Sequence, residues 1–194
     1  MAQATNEKTV TIQGQPLHVV EAGQPGRQIA LLIHGWSSSW YALSPLIGLL
    51  AQRFHCLAVD LPGYGQSPPL NKPTTIPCYA DLLAEFIETV SDGPVVLVGH
   101  SMGGMISIRL ALHYPLLIER MVLLSPTISG HLSKAINIFI SPITLIERFR
   151  PGSLLVTAVE RTIVGLTDRL MRPVSFAERT GITREDYARI RSDA

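Results

Sequence analysis

The sequence predicts an α/β fold: a mostly parallel sheet, opened by an antiparallel N-terminal hairpin and followed by a helical cap. Three observations carry this. Wholly apolar runs at Ile29–Ile33 and Val95–Val98 have the pattern of strands covered on both faces. Segments with apolar residues at helical spacing alternate with these runs, as right-handed crossovers between parallel strands require. Beyond Ser129-Gly130 the strand pattern stops, and helical stretches broken at Pro142, Pro151-Gly152, Pro173 and Gly181 take over. The expected organisation is a core over residues 1–129 and a cap or lid over residues 130–194.

Taken in order, residues 1–7 read as a loose terminus. Thr9–Ile12 and Leu17–Glu21 alternate apolar and polar residues around Gly14-Gln15-Pro16, an antiparallel hairpin at a sheet edge. Ile29–Ile33 is a central strand, followed by His34-Gly35-Trp36-Ser37-Ser38-Ser39-Trp40 and a helical stretch over residues 41–52. Phe54–Asp60 is the next strand and runs into Leu61-Pro62-Gly63-Tyr64-Gly65. The stripe Ile76, Tyr79, Leu82, Leu83, Phe86, Ile87, Val90 predicts a helix over residues 74–90 that stops at Asp92-Gly93. After Val95–Val98 and a further helix to Tyr114, Ile118–Leu124 is a strand stopped by Ser125-Pro126.

A chain of 194 residues suits one domain with a substantial core. Charged residues make up 16%, well under the usual quarter or so, and mean hydropathy is positive. A net charge of +1 without a Lys/Arg cluster argues against nucleic-acid binding. Cys56 and Cys78 match no metal spacing and read as small buried apolar side chains. No metal or cofactor is expected. The polar start and the lack of any run of about 18 uncharged apolar residues suggest a cytoplasmic protein with no membrane span.

The chemistry centres on Val95–Gly104, VVLVGHSMGG. Gly99 and Gly103 stand two residues either side of Ser101, removing the Cβ atoms that would collide where a strand reverses sharply into a helix. Such a bend holds the serine in a strained conformation with its hydroxyl above the sheet. Neither the phosphate-loop nor the dinucleotide-loop pattern fits this stretch. LLIHGW, AVDLPGYGQS and VLVGHSMGG, in that order, resemble the α/β-hydrolase superfamily, in particular its capped serine esterases, haloperoxidases and meta-cleavage hydrolases.

The resemblance implies Ser101 as nucleophile and the backbone amides of Trp36 and Met102 as the oxyanion hole. His34, Gly35, Gly99, His100 and Gly103 are implied as supporting residues, and Asp60 as a loop brace. Serine at the elbow separates this chain from haloalkane dehalogenases and epoxide hydrolases of similar pattern, which carry aspartate there; it favours acyl chemistry. Serine needs a histidine to take its proton and a carboxylate to orient that histidine. His18, His55 and His113 read as surface or satisfied core residues, and His131 is a weak candidate. No carboxylate follows Ile118–Leu124, and in the family the acid and histidine come after later strands. The expectation is therefore an N-terminal portion of a hydrolase, C-terminal strands absent, with little activity alone. A natural short form completed by another chain and a degenerate relative are the alternatives.

Ile136–Ile146 is apolar on nearly every face and reads as a lid over an apolar pocket. The expected activity is cleavage of small apolar carboxylic esters or related acyl compounds through an acyl-enzyme, without cofactor. Two rivals remain open: a cofactor-free haloperoxidase or carbon–carbon hydrolase using the same site, and a non-catalytic relative binding a small apolar ligand or partner. The uncovered sheet edge is a candidate for association.

Overall fold

A computed structural model describes residues 5–71, 74–128 and 184–192. Contacts divide the chain into two compact units, Met1–Ile128 with Glu185–Ala194, and Ser129–Arg184. The expected cap up to residue 183, with the Ile136–Ile146 lid and His131, lies outside the described residues.

Six strands form one sheet: β1 (Thr5–Ile12), β2 (Gln15–Ala22), β3 (Ile29–Ile33), β4 (His55–Val59), β5 (Val95–His100) and β6 (Ile118–Leu124), in the order β1-β2-β4-β3-β5-β6. β1 and β2 pair antiparallel, as do β2 and β4, whereas β4, β3, β5 and β6 run parallel. The hairpin is longer than expected, and Thr5–Glu7 belong to β1 rather than to a loose terminus. Its turn is Gln13-Gly14, both with positive φ (48° and 82°), so the strands close through two residues and Gln15-Pro16 joins β2.

The helical stretch after β3 splits into a 3-10 turn, Trp40–Leu43, and α1 (Ser44–Leu50). The reason is Pro45, which has no N–H to carry the helical ladder through and instead starts the new helix. Thr75 caps α2 (Ile76–Val90) by accepting from the Cys78 amide at 3.3 Å. α3 (Met102–His113) begins at the residue after Ser101, and α4 spans Arg184–Ser192.

Alternation along the central strands puts Leu31, Ile33, Leu57, Val59 and Leu97 on one face, packed with Leu83, Phe86 and Ile87 of α2 and Ile106 and Leu110 of α3. Ala30, Leu32, Cys56, Ala58 and Val98 turn to the other face, against Trp40, Leu43 and Ile47. Cys56 is buried as expected, and burial pushes its thiol up to about 11; Cys78 is only half-buried. β3 and β5 are therefore fixed from both sides, and their C-terminal ends carry the loops of the site. β6 closes the sheet, with Met121 and Val122 39% and 47% exposed. Among the described residues no helix is long and apolar enough to cross a membrane.

Phe86 is fully buried between α2 and the sheet. Phe86→Ala is expected to cost about 3–5 kcal/mol in urea unfolding. Exposed Leu116→Ala should change stability by less than about 0.5 kcal/mol.

Candidate active site

Ser101 lies between β5 and α3 with φ 50° and ψ −113°, a left-handed conformation costly for any residue with a Cβ. The approach of α3 to β3 imposes it. A Cβ added to Gly103 would sit 2.2 Å from the Ile33 carbonyl oxygen and 2.5 Å from that of His34, so only glycine lets the helix start against the end of β3. One added to Gly99 would meet the Ser107 hydroxyl at 2.4 Å. Both backbone polar groups of Ser101 are then tied to the end of β6: its N–H donates to Leu124 O at 3.0 Å, and its carbonyl accepts from Thr127 N at 3.2 Å. Among the described residues, the Ser101 hydroxyl has no hydrogen-bond partner.

The loop from His34 to Trp40 lies over this bend. A Cβ added to Gly35 would be 3.1 Å from Ser101 Cβ and 3.2 Å from His100 Nδ1, so the His34-Gly35 turn touches the elbow itself. Ser37 has φ 53°, and Ser125 at the end of β6 has φ 45°. With Ser101, these strained serines follow three neighbouring strands, β3, β5 and β6, at one edge of the sheet.

The Asp60–Tyr64 segment laces that loop down. His34 is fully buried; its Nε2 accepts from Leu61 N at 3.0 Å, which leaves Nδ1 as the N–H that donates to Gly35 O at 2.7 Å. Burial holds His34 below the ordinary histidine range, in keeping with that neutral tautomer. Tyr64 packs edge-on to His34 with ring centroids 5.5 Å apart. Asp60, fully buried, accepts from Trp40 N at 2.8 Å, Gln66 N at 3.0 Å and His18 Nδ1 at 2.8 Å. His18 also reaches Glu7 at 3.1 Å. Asp60 is thus a loop brace, and His18 a satisfied core histidine.

An open cleft of about 550 Å³ adjoins Met102, walled by Trp36, Ser37, Pro62, Tyr64, Ile76 and Tyr79 and reaching Thr74 and Thr75. The structure therefore brings Trp36 and Met102 to the same cleft. None of the described residues that line it is charged. Burial pushes the Tyr79 phenol up to about 12 and raises Tyr64, so both stay protonated, and Tyr79 donates to Pro62 O at 3.0 Å. Trp36 is 56% exposed at the mouth.

Of the other described histidines, none hydrogen-bonds Ser101. His55 bonds Glu21, and His113 Nδ1 lies 3.2 Å from Arg109 O on its own helix. His100 Nδ1 is buried against Gly35 with no partner among the described residues, and burial lowers its pKa. Sequence reasoning missed His18 as the partner of Asp60, although a histidine inside the apolar run Leu17–Val20 signals a buried partner. It also missed Leu124 and Thr127, whose contacts with Ser101 are made through backbone alone.

Gly103→Ala is expected to lower stability by about 1–3 kcal/mol in urea unfolding, because the helix must back away from β3. For the histidines the sign follows from burial. The unfolded chain takes up protons as pH falls through about 6.5, while the folded His34 and His100 resist, so stability is full above 6.5 and declines below it. In urea titrations at pH 7.5, 6.0 and 5.0, His34→Gln should flatten that decline by up to about 1.4 kcal/mol per pH unit.

Residues 30–193 match the family described as "Alpha/beta hydrolase family". The chain is 37% identical over 128 residues to "Uncharacterized hydrolase YugF" of Bacillus subtilis, covering 64% of this chain and 45% of that protein. It is 29% identical over 114 residues to "Epoxide hydrolase 4" of Mus musculus, covering 58% of this chain and 32% of that protein. Among solved structures, that of E-2-(acetamidomethylene)succinate hydrolase superposes with a TM-score of 0.66 at 29% identity, over 73% of this chain and 52% of that one. The chain thus spans about half the length, or less, of these relatives. With three adjacent strands ending in strained turns around a glycine-flanked serine, the chain belongs to the α/β-hydrolase family.

Proposed function

We propose that this chain supplies the nucleophile, Ser101, and the oxyanion hole, the amides of Trp36 and Met102, of a serine hydrolase acting on small apolar carboxylic esters or related acyl compounds. The observation that carries the reading is the left-handed Ser101 at the start of α3, with Gly35 pressed against it. In the proposed step, Ser101 Oγ attacks the acyl carbon and its proton passes to a base. The oxyanion is held by the two amides until it collapses, releasing the alcohol and leaving an acyl-enzyme that water hydrolyses. The serine argues against the route of an epoxide hydrolase that opens the ring with an aspartate, since a hydroxyl cannot form the carboxylate ester that chemistry uses.

The cleft supports an uncharged substrate. A succinate derivative, such as the one that names the solved neighbour, carries carboxylates that need cationic or well-organised donors when buried, and among the described residues no charged side chain lines this cleft. Trp36, Tyr64, Ile76, Tyr79 and Met102 instead offer an apolar wall with phenol and threonine hydroxyls at its edge. None of the described histidines hydrogen-bonds the Ser101 hydroxyl: His18, His34, His55 and His113 are engaged elsewhere and His100 Nδ1 is buried without a partner, so we assign base and acid outside the described residues. For a partner surface we propose the outer edge of β6, which among the described residues pairs on one side only and exposes Val122.

A fluorophosphonate probe with peptide mapping tests the assignment. Where the base and acid are present, label is expected on Ser101 and lost in Ser101→Ala; with these 194 residues alone, labelling and p-nitrophenyl butyrate turnover should both be weak. An unlabelled Ser101 in protein that has its base and acid would favour a non-catalytic binder.

A further inference from the structure

The loop that presents the Trp36 amide ends at an aromatic pair, and that pair is gripped from a distant part of the sequence. Trp40 and Tyr41 meet edge to face, with centroids 5.6 Å apart and planes at 88°. From α4, the Arg189 guanidinium sits 4.2 Å from the Tyr41 ring centroid and 5.4 Å from that of Trp40. Asp186, one turn earlier on the same helix, accepts the Tyr41 hydroxyl at 2.7 Å. Residues three apart share a helix face, so one face of α4 delivers a cation over the rings and an acceptor to the phenol.

The grip continues into the loop. Tyr41 N donates to the Ser39 hydroxyl at 3.2 Å, and Ala42 N to the Ser39 carbonyl at 3.2 Å, so the Trp40–Leu43 turn and the loop's last residue move together. Ser37, two residues before Ser39, has φ 53° and needs its surroundings to hold it there. Asp60 holds the end of the loop through the Trp40 amide, while α4 contacts the Trp40–Tyr41 pair through Arg189 and Asp186. We infer that Asp186 and Arg189 are positioning residues, which fix the His34–Trp40 loop through Trp40 and Tyr41 and so set the place of the Trp36 amide. The link to the oxyanion hole rests on the function proposed above; the grip on the loop does not.

The test is hydrogen exchange of the whole 194-residue chain, followed on peptides covering residues 34–43, with β3 and β5 peptides as internal controls. Arg189→Met and Asp186→Ala should each speed exchange in residues 35–41 by roughly tenfold while β3 and β5 stay protected. Arg189→Lys, which keeps a cation over the rings, should restore most of the protection. In a Trp36→Phe background Trp40 is the sole tryptophan, and Arg189→Met should shift its emission to the red. Unchanged loop exchange in both variants overturns the inference, as does a uniform rise that includes β3 and β5, because the effect is then on the whole fold. Failure of the nucleophile reading shows separately, as an unlabelled Ser101 in the phosphonate experiment, and leaves the exchange result standing.

Discussion

The start of α3 approaches the carbonyl oxygens of Ile33 and His34 so closely that a methyl group at position 103 has no room. That one contact joins the Ser101 bend to the His34–Trp40 loop. It brings α3 onto the end of β3, which forces the chain to reverse at Ser101 with positive φ, and it sets the loop that leaves β3 directly above the serine. The conformational cost, typically about 1–3 kcal/mol for a non-glycine residue in such a state, is met by packing of the two central strands, buried on both faces. The hydrogen bond from Ser101 N to Leu124 O and the one from Thr127 N to Ser101 O add a third strand end to the same constraint.

Around it, the polar groups are arranged so that the loops cannot relax. Asp60 is fully buried and satisfied by two backbone amides and an imidazole, an arrangement that holds a carboxylate where apolar residues would leave three donors unmet. His34 spends both ring nitrogens on backbone. These are structural uses of residue types that elsewhere do acid–base work, which is why a count of histidines and carboxylates near the elbow says little about the base. The described walls of the cleft beside them carry no charge, so this polar scaffolding stays out of the described cleft lining.

Much of this was legible in the residues because the central strands carry unambiguous signals. IALLI and VVLV are apolar at every position, and the structure buries them on both faces; the glycines around Ser101 announced the sharp turn the backbone makes. Less was legible where long-range contacts decide. The split of the helix at Pro45 and the pairing of β1 from Thr5 depend on local proline chemistry and on β2 as a partner, not on periodicity. The pairing of His18 with Asp60 links positions 42 residues apart, and that of Tyr41 with Asp186 links positions 145 apart; no spacing rule reaches so far. The backbone contacts of Leu124 and Thr127 leave no trace in side-chain identity at all.

The most direct measurement of the central claim is a crystal structure of the protein carrying a phosphonate on Ser101. The account predicts that Ser101 keeps its positive φ, that Gly103 stays seated against the carbonyls of Ile33 and His34, and that the phosphoryl oxygen lies within about 3 Å of both the Trp36 and Met102 amide nitrogens. An adduct whose oxygen points to solvent, or a Ser101 relaxed into helical φ and ψ, would contradict it.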